Sequence, residues 1–378
     1  MSRLFLFNPE NDLALAHGKA QYTAPPNAQL LHNAGAMLPI WHCNEGDSIL
    51  AHKLNREWLQ SQQESFEIPN IEDSTDNISE LIPWGWSLNT CRQFSEYGID
   101  SSLLPNETSI EKIRQLSHRR HTIDVISQIN EICNTNLPQP IEATSTSQVI
   151  DFLHKNQSIY LKSPWSSSGR GVINTVTISE EEIIRRANGI IRRQGSVMCE
   201  KALNKIKDFA MLFYCDNNGV RFHNYSSFFN IGAGNYAGNI IGSKEFIINS
   251  ITQYGISQQK LELFTSTLCN ILNQLIVPYY RGYLGVDMMI YNDNGKIEIA
   301  PCVEINLRMT MGVVASLWSQ KHLSPNSHGV MKVEYSPIDK RIAQNNPPII
   351  IDKKLKSGRI SLIPPDDNFD IYITAQCD

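Results

Sequence analysis

The stretch Tyr160-Leu-Lys-Ser-Pro-Trp-Ser-Ser-Ser-Gly-Arg-Gly-Val172 delivers one lysine on a short β-like run and then breaks into a Ser/Gly loop. Backbone N–H groups freed by such a loop, with hydroxyls beside them, form a concave anion site, and Lys162 adds a point charge. That chemistry suits the phosphates of a nucleotide. A Ser/Gly tract also serves as a plain turn or linker, so the reading leans on a second motif far downstream. There Glu304-Ile-Asn306-Leu-Arg308 sets a carboxylate, an amide and a guanidinium at alternate positions. On a strand, alternate positions share a face.

The residues before this motif read as a hairpin. Strands over 284–291 and 296–306 are joined by Asn292-Asp-Asn-Gly295, a strong turn signal. Pairing Tyr291 with Lys296 sets Asp287 across from Ala300, on the face of Glu304 and Asn306. Pro301 lacks a ladder donor and marks a bulge that shifts this register by a residue or more. Asp287, Glu304 and Asn306 then gather hard oxygens suited to Mg²⁺ shared with nucleotide phosphates. Glu298 is a reserve ligand on the same face. A solvated polar sheet face is the plain alternative. Against it, Met288, Met289, Ile299, Val303 and Ile305 are apolar enough to bury the element, and buried carboxylates need a counter-charge.

Outward from these motifs, residues 3–8 read as a buried strand followed by the loop Asn8-Pro-Glu-Asn-Asp12. Further apolar runs at 37–42 and 81–86, with helical segments between, predict a small α/β unit with a parallel sheet. Ligands sit at the carboxyl ends of such strands. Asn8, Glu10, Asn11, Asp12, Trp84 and Trp86 are therefore substrate-site candidates, although turn formation and core packing explain them equally. Thr108-Ser-Ile-Glu111 and Ser145-Thr-Ser-Gln148 read as capping boxes. A helix over 180–193 starts at Ser179, with glutamates in its first turn and arginines at its end, complementing the helix dipole. With strands at 158–162 and 196–203 it describes a small α+β lid. Antiparallel strands at 209–214 and 220–224, a Gly-rich segment at 230–238 and a core helix over 257–276 follow. The remainder, 321–378, reads as an appended β segment.

Composition bounds the function. A net charge of −5 gives no general affinity for polyanions, which argues against a nucleic-acid partner. The eight cysteines are scattered, without CxxC or zinc spacing, and read as reduced fillers of a cytoplasmic protein. The N-terminal apolar run stops at Asn8-Pro9, far short of a signal peptide or membrane span.

Taken in order, these parts resemble the ATP-grasp superfamily: Ser117-His-Arg119, Lys162 with its Ser/Gly loop, Glu200-Lys-Ala-Leu203, Gly282-Tyr-Leu-Gly-Val-Asp287 and Glu304-Ile-Asn-Leu-Arg308. The resemblance covers roughly 110–315. It implies a mixed α/β and α+β chain: an N-terminal α/β domain at 1–107 precedes an ATP-grasp domain at 108–320. The latter consists of two α+β subdomains clamping ATP, with the lid at about 138–198, and a β-rich extension at 321–378 follows.

The resemblance also implies roles. Lys162 binds the α/β-phosphates, with Ser166, Ser167, Ser168 and Gly169 around them, and Arg119 (or adjacent Arg120) replaces the family's other phosphate-binding lysine. Glu200 accepts from the adenine amine, the backbone of Lys201 and Leu203 reads the ring edge, and Asp208 holds ribose hydroxyls. Asp287, Glu304 and Asn306 carry Mg²⁺ (or Mn²⁺). Arg308 stabilises the charge of an acyl phosphate. Arg for Lys at position 119 keeps charge but changes hydrogen-bond geometry. No clear counterpart of a further phosphate-clamping lysine stands in the middle strands, where Arg221 and His223 are weak candidates.

The function implied is an ATP-dependent carboxylate–amine (or thiol) ligase acting through an acyl phosphate. A phosphotransferase on the same scaffold, or a nucleotide-binding module without turnover, are the alternatives. The expected partners are ATP and small-molecule carboxylate and amine substrates, with no membrane or nucleic acid. A homodimer is among the expected states, since ligases of this class are often dimers.

Overall fold

The computed structural model describes residues 2–71, 75, 77–166, 171–231, 235–335 and 345–377. The chain opens with β1 (Ser2–Leu6), α1 (Asn11–His17) and α2 (Pro26–Ala34), then β2 (Ser48–Ile49), α3 (Arg56–Ser65), β3 (Ile78–Pro83) and α4 (Leu88–Glu96). β1 lies between β2 and β3 in a parallel sheet. The expected strand at 37–42 is instead a 3₁₀ turn over Leu38–His42. Pro39 in this run removes a ladder donor. Trp41 serves as a core anchor rather than a strand residue, its Nε1 donating to Leu362 O at 2.8 Å.

Two helices, α5 (Glu107–Leu116) and α6 (His121–Cys133), form a corner that places Arg119 between them. The cap of α5 is Asn106, which accepts from Ser109 N at 2.8 Å; the box expected at Thr108 lies inside the helix. Asn106 wins because its side chain meets the N–H groups that the helix start leaves open.

The lid comprises β4 (Ile141–Ala143), α7 (Thr146–Asn156), β5 (Ile159–Lys162), β6 (Val172–Asn174), α8 (Glu180–Gln194) and β7 (Val197–Lys201). Its strand order is β4-β7-β5-β6. Ser145 and Gln148 form the expected capping box of α7, and Ser179 caps α8 by accepting from Glu182 N. Val149, Leu153, Ile183, Ala187 and Ile190 bury these helices against Leu161, Val197 and Cys199 on one face of the lid sheet.

A nine-stranded sheet carries the rest. It includes β8 (Asn204–Asp216), β9 (Gly219–Ile231) and β10 (Asn235–Ile241), and, after α9 (Lys244–Thr252) and α10 (Gln258–Ile276), β11 (Gly282–Asp293) and β12 (Lys296–Asn306). α11 (Met311–His322) leads into β13 (Ser327–Tyr335), β14 (Ile349–Ile351), β15 (Lys354–Ser361) and β16 (Phe369–Cys377). The order is β12-β11-β8-β9-β10-β13-β16-β15-β14, so the C-terminal strands continue the sheet instead of standing apart from it. α10 buries Leu261, Phe264, Leu268 and Leu272 against one face. Each such side chain contributes about 2 kcal/mol of transfer free energy. On the C-terminal half, Trp41, Phe66, Trp318 and Leu323 share a core with Leu362, Ile371 and Ile373, which fuses the N-terminal unit to the last strands.

The β11–β12 hairpin turns at Asn294-Gly295, both with positive φ (52° and 94°), as a two-residue turn demands. Asp293 pairs with Lys296, and Tyr291 therefore faces Glu298, not Lys296. The register then slips between Met289 and Asp287, where Pro301 interrupts the partner strand. Asp287 consequently faces Glu304 directly rather than Ala300.

Candidate active site

Lys162 ends β5, and Glu200 lies near the end of β7. Tyr160 pairs with Glu200 and Lys162 with Met198, so the two charged residues are diagonal neighbours on one face. Lys162 Nζ donates to Glu200 Oε2 at 2.5 Å. The loop that follows is anchored at its near end. Trp165 Nε1 donates to Arg114 O at 2.9 Å, and the indole lies edge-on to His118, ring centroids 4.5 Å apart. Burial and the charge of Arg120 hold His118 down at about 3, so its neutral Nδ1 accepts from Arg120 N at 2.9 Å. Ser166 is buried within hydrogen-bond reach of Arg119. Ser167, Ser168 and Gly169 lie outside the described residues.

Arg119, not Arg120, turns toward the site. Its Nη1 donates to Ser163 O at 2.5 Å and to Ser166 Oγ at 2.8 Å, while Nη2 donates to Glu304 Oε1 at 2.7 Å. Arg120 instead pairs with Glu142 at 3.0 Å.

The carboxylate pair sits on β11 and β12. Burial, and then the charge of Glu304, push the Asp287 carboxyl up to about 7. Asn306 Nδ2 donates to Asp287 Oδ2 at 3.1 Å, and its Oδ1 accepts from Arg308 Nη2 at 2.9 Å. Arg308 Nε and Nη2 also fork onto Asp12 at 2.8 and 2.7 Å. The neighbouring Met309 N donates to Trp84 O at 2.8 Å, a second stitch between this strand end and the N-terminal unit.

At the other end, Lys201 and Leu203 flank the crossing from β7 to β8. Asp208 on β8 accepts from Lys205 Nζ and Asn230 Nδ2, both at 2.8 Å. A cavity of about 1050 Å³ is lined by Arg119, Lys162, Ser166, Glu200, Lys201, Leu203, Asp208, Asp287, Glu304, Asn306 and Arg308. Lys205 and Asn230 line it too and escaped the sequence reading; Lys205 stands three residues before Asp208, and only the register slip between Lys205 and Lys207 brings the two together.

Other candidates point elsewhere. Arg221 pairs with Asp216 and lies over Tyr214, 4.7 Å from the ring centroid. His223 meets Ser316 Oγ at 3.2 Å, and Glu298 sits between Lys260 and Lys296. None of the three lines the cavity. Of the N-terminal candidates, Glu10 and Trp84 line it. Asn8 is internal, donating to Gly85 O and Thr90 Oγ1 at 2.9 Å, and Trp86 packs on Phe94. Asn11 is buried so close to Gly85 that a Cβ there would come within 2.3 Å of its amide.

Among the described residues, no three His, Cys, Asp or Glu side chains gather as a metal site. The set here is two carboxylates and an amide. It fits Mg²⁺ by its donor chemistry: two half-buried carboxylates face one another, one of them raised by desolvation and by the charge of the other, and a hard divalent cation relieves that repulsion. No helix among the described residues is long and apolar enough to cross a membrane.

No family model and no curated protein matches the chain. Solved structures do. N5-carboxyaminoimidazole synthetase from Staphylococcus aureus aligns with TM-score 0.52 at 11% identity, over 100% of this chain and 93% of that one. Biotin carboxylase from Campylobacter jejuni, solved as a β,γ-ATP complex, gives 0.55 at 11%, over 100% and 87%. The biotin carboxylase domain of Hydrogenobacter thermophilus 2-oxoglutarate carboxylase, solved with MgADP and bicarbonate, gives 0.52 at 11%, over 100% and 86%. At these identities the likeness is one of fold.

Proposed function

We propose that this chain, whose fold is the ATP-grasp fold, is an ATP-dependent ligase that joins a carboxylate to an amine (or thiol) through an acyl phosphate. The observation that carries the reading is that three cations, Arg119, Lys162 and Arg308, converge on one cavity with Asp287, Glu304 and Asn306, each cation held by an acid.

In this reading the ion pairs exchange partners when nucleotide binds. Lys162 leaves Glu200 for the α/β-phosphates, and Glu200 becomes free to accept from the adenine amine. Lys201 and Leu203 present their backbone to the ring, and Asp208 takes the ribose hydroxyls. Arg119 leaves Glu304 for phosphate oxygens. Mg²⁺ held by Asp287, Glu304 and Asn306 supplies neutralisation of the phosphate charge. A carboxylate oxygen of the substrate attacks the γ-phosphorus, the bond to the β-phosphate oxygen breaks, and ADP leaves. The amine nitrogen, in its neutral form, then attacks the acyl carbon, the bond to the phosphate oxygen breaks, and the departing phosphate takes up the proton that the nitrogen loses. Arg308, braced by Asp12, faces the charge that develops on the transferred group. Positioning and charge neutralisation supply the catalysis. A cytoplasmic setting, where ATP is plentiful, goes with this reading.

The test is turnover of ATP with Mg²⁺ against pooled carboxylates and amines, following ADP, phosphate and product mass. ADP and phosphate release that depends on one carboxylate plus one amine is expected. A stable phosphorylated product would make the protein a phosphotransferase instead. Tight ATP binding without turnover across the pool would favour a binding module.

A further inference from the structure

The same cavity is also lined by the N-terminal unit, which Asp12 and Trp84 tie to Arg308 and Met309, and by the C-terminal strands. Phe7 and Trp84 meet edge-to-face on one side, centroids 5.0 Å apart, and Tyr335 and Phe369 do so on the other at 5.1 Å. Among the described residues these two parts of the chain turn a single charged side chain to the cavity, Glu10. Its carboxylate is only 5% exposed and meets His32 Nδ1 at 3.1 Å, with Arg308 already engaged by Asp12 two residues on, in the first turn of α1. The nearby β9–β10 surface is polar but neutral: Asn239 Nδ2 donates to Ser226 Oγ at 2.6 Å.

We infer that this end of the cavity takes a substrate that carries an ammonium group on an apolar or aromatic body and bears no phosphate, with Glu10 receiving the ammonium. The inference rests on the ligase reading for placing the nucleotide at the opposite end. A buried carboxylate favours a cation as its partner and repels an anion. Aromatic rings offer broad contact to an apolar side chain and a face to a neighbouring cation. A phosphorylated substrate would find Glu10 where it needs an arginine or lysine. Val333, Tyr335, Phe369 and Ile371 bring the C-terminal strands into the wall, which gives that segment a part in specificity.

The test is calorimetric binding to the full chain with ADP and Mg²⁺ present, using phenylalanine, 3-phenylpropionate (the same body without the amino group) and phosphoserine. Phenylalanine is expected to bind at least about tenfold more tightly than either of the others, the size of one charge-assisted hydrogen bond. Glu10→Gln should remove that preference. The wild-type selectivity decides the matter even where the variant folds poorly. Equal affinity for phenylalanine and 3-phenylpropionate, preference for phosphoserine, or no phenylalanine binding would overturn the inference. None of these readouts needs turnover. Selective, Glu10-dependent binding together with no ATP turnover across the carboxylate and amine pool would leave the pocket standing and remove the ligase. Ligation of a phosphorylated amine would do the reverse.

Discussion

Arg119 Nη2 donates to Glu304 Oε1 at 2.7 Å across 185 residues of sequence, and the same guanidinium holds Ser163 O and Ser166 Oγ. One nearly inaccessible side chain thus ties the start of the Ser/Gly loop to the carboxylate strand. Arg119→Ala takes away the one cation that Glu304 meets directly, leaving only Arg308 near the two carboxylates, and should cost about 3 kcal/mol of stability, the low end for breaking a buried pair from one side because Glu304 is part-exposed. Arg119→Lys keeps the charge but reaches one acceptor where the fork reaches three. Urea unfolding should rank wild type above Lys above Ala, and ATP protection against heat should fall in the same order. A lysine variant as stable as wild type would show that the fork is not what holds the loop.

The Asp12–Arg308 fork makes a separable prediction. Asp12 reaches Arg308 from the N-terminal unit, and Arg308 in turn meets Asn306 Oδ1 at 2.9 Å. Asp12→Asn keeps shape but loosens the brace on a group assigned to the transition state. Interactions realised there appear in kcat. We expect kcat to fall about tenfold or more, one charge-assisted bond, with nucleotide affinity nearly unchanged. A loss confined to nucleotide affinity would assign Arg308 to ground-state binding.

How much of this was legible follows from distance along the chain. Glu304, Asn306 and Arg308 could be placed together because strand alternation is local, and Lys162 because its loop follows at once. That Arg119 meets Glu304, or Arg308 meets Asp12 across 296 residues, has no local signature; the sheet order and the α5–α6 corner create both contacts. Pro301 signalled an irregular ladder, since it lacks a donor, but not that the slip would set Asp287 opposite Glu304. The run at 37–42 misled because its apolar residues serve an aromatic core shared with Leu362 and Trp318 rather than a ladder. The β character of the C-terminal region was visible, but its pairing of β13 with β10 was not.

Asp287→Asn probes the carboxylate pair. Asp287 is raised to about 7 by burial and by Glu304. For a raised acid, the stabilising protonated form is complete below the unfolded value near 3.8 and is lost as pH rises through about 7. The ligand-free protein therefore carries its largest penalty above pH 7, and there the asparagine should stabilise it by about 1 kcal/mol or more. The same variant should lose Mg²⁺-dependent ATP binding. Unfolding at pH 8 and ATP titration with and without Mg²⁺ read the two effects. Destabilisation at pH 8 would mean that Asp287 is better satisfied than its surroundings indicate.

His322 and His42 set the acid limit of the fold. His322 is buried in the aromatic core around Trp41, its Nε2 donating to Trp41 O at 3.1 Å, and the half-buried His42 lies edge-on to Phe5. Burial pushes each down to about 4. For a depressed histidine, the stabilising neutral form is complete above the unfolded value near 6.5, and its contribution is lost as pH falls through 6.5 to 4. Each shift corresponds to about 3 kcal/mol at most. Because Trp41 and Trp318 join the N-terminal unit to the last strands, acid opening should expose both indoles and red-shift tryptophan emission between pH 6 and 4. His322→Gln keeps a donor to the Trp41 carbonyl without a titrating ring, so it should flatten the slope of stability with pH in that window. A variant whose urea midpoint tracks wild type from pH 7 to 4 would remove His322 from the transition and leave His42 to account for it.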